Sequence, residues 1–188
     1  MRKVVVTEFI SLDGVIEDPG GAEKFEHGGW SMGYWSDEIG KFKWDELFAS
    51  DAHLLGRVTY EGFTAAWPSR KDEFADRMNN LPHYVVSTSL KKADWNNTHQ
   101  IKANVAEEIM KIKQQPGQDI LLAGSATLAQ SLMQHNLVDE YHLLVYPVVL
   151  GSGKRLFKDG KRANLKLVEA RPLGSDVVLM VYQPAESK

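Results

Sequence analysis

Three short polar turns carry most of the chemistry legible in this chain: Gly56-Arg57-Val58-Thr59, Ser87-Thr88-Ser89 and Ala123-Gly124-Ser125-Ala126. An arginine presents a planar fork of donors that can grip a phosphate bidentately, and serine and threonine hydroxyls bond the same oxygens. A glycine that opens a helix leaves backbone N–H groups without intrahelical partners. The positive end of the helix dipole adds to them, so such a turn holds an anion well. Any one of these turns is explained by capping and turn formation alone. Three on one edge of a sheet suit a nucleotide with several phosphates better than a neutral metabolite. A fourth polar turn, Ser11-Leu12-Asp13-Gly14, offers a carboxylate that can give a proton to an atom gaining charge, although Asp-Gly is equally a common turn pair. Asp37 and Glu38 open a helix, where carboxylates serve as caps more often than as acids. The six histidines show no metal-ligand spacing with one another or with carboxylates, so no metal site is expected.

These turns need strands and helices to hold them. Ile120 to Ala123 is an apolar run too short for a typical helix, and it stops at Gly124. Leu128, Ala129, Leu132 and Met133 then recur at helical spacing, with Ser125 placed to cap the helix start. The stretch Asp119–Met133 is therefore read as strand, glycine turn, helix. Val4 to Ser11 reads as a central strand, His53 to Leu55 as a short strand leading into the Gly56–Thr59 turn and a brief helix, and His83 to Val86 as another. Ser36 is placed to cap a helix whose inner face is Ile39, Phe42, Leu47 and Phe48. Lys71–Asn79 carries Phe74 and Met78 at helical spacing. Asn104 with Glu107 forms a capping box ahead of a stripe of Val105, Ile109 and Ile112. Glu140 to Leu150 is a nearly unbroken apolar strand containing Pro147, and Leu165–Ala170 with Val177–Tyr182 forms a terminal hairpin. Strands alternate with helices up to about residue 140, so a largely parallel sheet covered on both faces is expected, with antiparallel strands added at the end. Between strand and helix, Glu17–Trp35 mixes glycines with Phe25, Trp30, Met32, Tyr34 and Trp35. A loop this long inside a compact domain binds something, packs as a flap or forms a subunit contact.

The totals narrow the classes. A chain of 188 residues, 43% hydrophobic and 25% charged, supports one folded domain, read as 1–188 without an internal linker. A net charge of −3 argues against a general nucleic-acid binder. The absence of cysteine excludes disulfides, cysteine zinc sites and a thiolate nucleophile. Glu8 and Asp13 interrupt the first apolar run, no signal-peptide cleavage site follows, and no segment is apolar enough to span a membrane. A cytoplasmic location is the default expectation.

The order SLDG at Ser11–Gly14, LLGRVTYEGF at Leu54–Phe63, VVSTSL at Val85–Leu90, LLAGSATLAQSL at Leu121–Leu132 and VDEYHLLVYPVVLGSGKRLF at Val138–Phe157 resembles the dihydrofolate reductase-like superfamily. Within it, the chain resembles stand-alone relatives of the reductase domain of bacterial riboflavin-biosynthesis deaminase-reductases, the 5-amino-6-(5-phosphoribosylamino)uracil reductases. The resemblance covers nearly the whole chain. It implies a three-layer α/β/α dihydrofolate reductase-like fold with a mixed, mostly parallel sheet and an antiparallel C-terminal hairpin. It also implies an NADPH-dependent reductase of a small, pterin- or pyrimidine-like substrate.

Carried over by position, the resemblance assigns NADPH to Gly56, Arg57 and Thr59, to Ser87, Thr88 and Ser89, and to Ala123, Gly124, Ser125 and Ala126. Lys91 and Lys92 stand close by in sequence as further charge for the 2′-phosphate. Dihydrofolate reductases usually have a glycine pair where this chain has Ala123-Gly124. Asp13 is implied as the catalytic proton donor and a substrate contact. Trp35, Gly151 and Lys154 complete the substrate set, with Arg155 beside them, under a Glu17–Trp35 loop that closes over the substrate. Pairing of two subunits through Glu140–Leu150 and the hairpin would make a homodimer. Two readings of other classes stay open: a nucleotide-binding or ligand-sensing module without catalysis, and a structural protein that binds no cofactor.

Overall fold

The sheet is laid out on either side of a central strand, β1 (Val4–Ser11), whose valines, Phe9 and Ile10 favour extended backbone and are almost all buried. The computed structural model describes residues 1–157, 159–160 and 162–185. Parallel neighbours β5 (Asp119–Ala123) and β6 (Glu140–Tyr146) flank β1. With β2 (Ser50–Gly56), β3 (His83–Val86), β4 (Thr98–Ile101), β7 (Leu165–Leu173) and β8 (Val177–Pro184), the order is β4-β3-β2-β5-β1-β6-β8-β7. Every pairing from β4 to β6 is parallel, and β6–β8 and β8–β7 are antiparallel. β6 ends at Tyr146 rather than running on to Leu150, because Pro147 has no N–H to give the ladder. β4 leaves little mark in the sequence: Thr-His-Gln-Ile is a short, partly polar edge strand with no apolar run to reveal it.

Helices α1 (Asp37–Phe48), α2 (Arg57–Ala66) and α3 (Glu73–Asn80) cover one face. There Leu47, Tyr60 and Met78 pack on Leu55 and Val85, while Ile39 joins Leu144, Leu179 and Val181. The other face carries α4 (Val105–Gln114) and α5 (Ala126–Gln134), whose Ile109, Ile112, Leu128 and Leu132 bury Val4, Val6, Leu54, Ile120 and Leu122. The fold is the three-layer α/β/α arrangement expected, a mostly parallel sheet closed by an antiparallel hairpin.

The helix starts differ from expectation in an informative way. Ser36 and Asp72 cap α1 and α3, accepting from the amides of Ile39 and Ala75. Asn104 and Ser125 do not cap α4 and α5: both are in the left-handed region, at φ 51° and 60°, and neither side chain bonds a first-turn amide.

The Glu17–Trp35 loop is organised from within. Asp18 is buried, and its carboxylate accepts from the amides of Ala22, Glu23 and Phe25. Gly28 fits because any side chain there would collide with that carboxylate. The Trp30 indole donates to Glu17 O at 2.8 Å, and the Trp30 and Tyr34 rings meet Tyr146 edge-on. The loop is a packed cap over the cluster formed by α1, β6 and β8.

Candidate functional site

All the parallel strands end on one edge, and there the chain changes faces. β2 feeds α2 on one face, while the adjacent β5 feeds α5 on the other. A crevice opens at such a switch point, outside the carboxyl ends of the strands. The two turns that flank it touch. A Cβ on Gly56 would overlap the Ser125 hydroxyl and sit 2.7 Å from Ser125 Cβ. A Cβ on Gly124, where φ is +63°, would overlap the Thr59 hydroxyl and lie 3.1 Å from its methyl. Gly56 and Gly124 thus let the two helix starts interlock. Neither α2 nor α5 has a side-chain cap, so first-turn amides of both are left to water or a ligand.

The structure therefore brings together Gly56, Thr59, Gly124 and Ser125, with Ala123 and Ala126 immediately flanking. Arg57 is the first residue of α2 and forms an exposed pair with Glu61 at 2.8 Å. It lines a cleft of about 1000 Å³ with Tyr60, Ser89, Lys91, Lys92 and Trp95. Ser87 acts locally instead, because its hydroxyl accepts from the amides of Ser89 and Leu90 and so fixes the turn after β3. Ser89 is the member of the serine turn that faces the cleft.

Asp13 is tied into the local structure. Its carboxylate accepts from Ser11 Oγ at 2.7 Å and from the amides of Leu150 and Gly151 at 3.1 and 2.8 Å. The Ser11 hydroxyl, helped by those two amides against a partial burial penalty, holds the carboxyl down at about 2. These bonds make Asp13 a clamp between the turn after β1 and the Val148–Arg155 segment. Gly151 belongs to that clamp. The basic pair after it is also engaged: Lys154 bonds Glu17 at 2.6 Å, and Arg155 donates to Asp13 O at 2.9 Å. Trp35 lies outside this group, 62% exposed, with its indole against Gly40 of α1.

A buried polar network has no motif in the sequence to announce it. On the α1 side of the sheet, Thr7 donates to Glu46 at 2.9 Å, and Lys43 pairs with Glu46 while donating to Thr7 at 2.9 Å. His142 bridges Glu46 at 2.6 Å and Glu140 at 2.8 Å. Burial alone would push Glu46 up, but Lys43 and His142 outweigh it and hold the carboxyl at about 2. Burial likewise opposes charge on His142, yet its two carboxylate partners raise its pKa. With both ring nitrogens bonded to carboxylates, the ring is an imidazolium. Beside the network, His53 and His83 stack, with Nδ1 atoms 3.3 Å apart, and burial drives them down to about 3 and 4, so both are neutral. On the opposite face, Glu8 is 5% exposed, and burial pushes its carboxyl up to about 8. The available signal is a polar residue breaking an apolar strand: Thr7-Glu8 within VVVTEFI and His142 within EYHLLVY.

Among the described residues no group of three or more His, Asp or Glu is arranged to hold a metal, and no helix is long and apolar enough to cross a membrane. Against known proteins, the chain is 34% identical over 187 residues to "Uncharacterized protein YyaP" of Bacillus subtilis strain 168, covering 96% of this chain and 94% of that one. Its fold matches a Thermotoga maritima diaminohydroxyphosphoribosylaminopyrimidine deaminase/5-amino-6-(5-phosphoribosylamino)uracil reductase with a TM-score of 0.66 at 16% identity, over 98% of this chain and 57% of that one. It also matches a dihydrofolate reductase from Enterococcus faecalis, complexed with NADP(H), with a TM-score of 0.65 at 16% identity, over 98% and 97% of the two chains. The sequence profile of the RibD C-terminal domain matches residues 2–179, and with the interlocked turns and reductase-type fold already described, the chain belongs to the RibD C-terminal domain family.

Proposed function

We propose that the chain is an NADPH-dependent reductase of a small heterocyclic substrate, pterin- or pyrimidine-like. The observation that carries this reading is the interlock of two uncapped helix starts through Gly56–Ser125 and Gly124–Thr59 at the point where the sheet changes faces. A pyrophosphate fits such a pair of termini, because it supplies the acceptors their amides lack. Arg57 and Ser89, both on the neighbouring cleft, would hold the adenosine 2′-phosphate, with Lys91 and Lys92 adding charge. When bound, the cofactor supplies a hydride. The chain's own residues position its partner: Asp13 fixes the Val148–Arg155 segment, and the Asp18-organised loop covers the adjoining aromatic cluster. The two reductases that share the fold support the reading.

Titrating tryptophan fluorescence with NADPH and NADH tests it. NADPH is expected to quench and stabilise, and Arg57→Ala to remove most of the preference over NADH. Absence of binding by either dinucleotide sinks the proposal. One observation favours a second reading, a nucleotide-binding module without catalysis: the carboxylate expected to give a proton is already engaged by the Ser11 hydroxyl and the amides of Leu150 and Gly151. NADPH oxidation across a panel of pterins, pyrimidines and carbonyl compounds separates the two. A homodimer belongs to the same proposal, since edge strand β7 leaves Leu167 and Val168 half exposed; light scattering that finds only monomer removes it.

A further inference from the structure

Helix α1 packs into two apolar clusters, through Ile39 in one and Leu47 in the other, and between these residues it turns Lys43 and Glu46 onto the sheet. The strands answer with polar side chains on the same face. Thr7 of β1 stands beside His142 of β6, Val5 beside Glu140, and His142 beside Val181 of β8, which puts Gln183 of β8 level with Glu140. One Glu46 oxygen accepts from Thr7 and Lys43, and the other meets only His142 among the described residues. Glu140 divides its oxygens in the same way: one accepts from Lys3 at 3.0 Å and Gln183 at 2.9 Å, and the other meets His142.

His142 is thus the link between a helix carboxylate and a strand carboxylate. Nδ1 lies 2.6 Å from Glu46 and Nε2 2.8 Å from Glu140, and ionised carboxylates can only accept, so both ring nitrogens carry protons. Of the other charged and titratable groups nearby, Asp119 of β5 faces Lys3 and Glu140, and His53 of β2 is neutral behind Glu46. Arg171 of β7, paired with Glu169, reaches the Phe42 ring that meets His142 at 5.6 Å. A neutral imidazole has one N–H, so losing a proton costs one of the two bonds. Glu46 is 2% exposed and Glu140 13%, and Glu140 keeps Lys3 and Gln183. A buried oxygen left bare is costlier than one that water reaches, so Nδ1 keeps its proton for Glu46 and Nε2 gives up Glu140.

We propose that His142 is a pH-sensitive clasp between α1 and the β6–β8 pair: charged, it joins Glu46 to Glu140, and neutral, it holds Glu46 and releases Glu140. The two carboxylates raise the ring above its ordinary 6.5, so the clasp is closed below that value and opens as pH climbs through the folded one. Opening sets the Nε2 lone pair against the Glu140 carboxylate, so the end of β8 held through Gln183 loosens while α1 stays docked. Long-range proton–nitrogen NMR spectra of the nitrogen-labelled protein, taken from about pH 6 to about pH 10, read the ring directly. Nε2 should move to the shift of a deprotonated ring nitrogen while Nδ1 keeps its proton. With the same midpoint, hydrogen-exchange protection of the β8 amides at Val181–Gln183, corrected for the intrinsic rate at each pH, should fall roughly threefold or more, and that of α1 should not. In Glu140→Gln the strand carboxylate is gone, so the ring should lose its charge at lower pH and β8 should show no step. The proposal is overturned if both nitrogens keep their protons for as long as the protein is folded, if Nδ1 loses its proton first, or if β8 protection stays flat while the ring titrates. A β8 step that persists in Glu140→Gln belongs to another group and overturns it as well.

Discussion

Replacing Glu8 with glutamine should make the protein more stable, and increasingly so as the pH rises. The carboxyl is fully buried and raised from its ordinary 4.5 to about 8, chiefly by desolvation against a weaker pull from Lys43 and the Gly124 amide. Between those two values the unfolded chain sheds the Glu8 proton while the folded chain keeps it. The unfolded state is therefore favoured progressively across that window, and the acid's contribution to stability is fully present below it. At about 1.4 kcal/mol per pH unit, the loss reaches roughly 3 kcal/mol near pH 7, an upper figure because a relaxing interior lowers the penalty. Glutamine has nearly the same shape and does not titrate. The difference in unfolding free energy between Glu8→Gln and the parent should lie near zero at about pH 4.5 and grow to about 2–3 kcal/mol at pH 7. Urea unfolding at a series of pH values reads this directly, and taking the difference cancels titrations that the two proteins share. A difference that stays flat between about pH 5 and pH 8 would refute the claim that Glu8 is protonated in the folded state.

Other perturbations follow from the same contacts. Gly56→Ala drives a methyl into Ser125 and should cost about 1–3 kcal/mol in urea unfolding. Adding Ser125→Gly removes the obstruction and relieves φ +60°, so it should restore most of the loss; simple additivity of the two changes would show that the turns do not interlock. His142→Ala leaves Glu46 buried with Lys43 as its remaining counter-charge and should cost about 3 kcal/mol below pH 6.5. Because the folded pKa of His142 is raised, that stabilisation is fully present below its ordinary value and lost as pH climbs through the folded one, so the variant's deficit should shrink in alkaline buffer. Asp13→Asn should speed hydrogen exchange at the amides of Leu150 and Gly151 and lower turnover without removing a limb in which activity falls as pH rises; loss of such a limb would support Asp13 as the proton donor.

The two interlocked glycine turns proposed for the cofactor are far more legible in the sequence than the contacts proposed for the substrate, and the reason is physical. A strand that ends at a glycine and opens a helix announces itself locally: Ile120–Ala123, Gly124 and the Leu128–Met133 stripe lie within one short stretch, as do Leu54–Gly56 and Arg57–Phe63. β1, β3 and the hairpin are equally readable from their β-branched and aromatic runs. The side chains of the other half take their roles from partners far along the chain. Asp13 is a clamp because Leu150 and Gly151 donate to it, and Glu46 is ionised because Lys43 and His142 surround it. Nothing within a few residues of Asp13 tells a proton donor from a turn anchor, and the Asp-Gly pair fits both. The Glu17–Trp35 aromatics point correctly to packing or binding, but Asp18 fixes the loop through three backbone amides, which leave no side-chain pattern. What does survive in the sequence is the exception. A glutamate in the middle of VVVTEFI breaks the rule for a strand buried on both faces, and a fold keeps such a residue only at a cost in stability. That cost and an unpartnered carboxyl oxygen fall on the same residue, level with the glycine turn, so the pH dependence of the Glu8→Gln difference measures what the fold gives up to keep a carboxyl there.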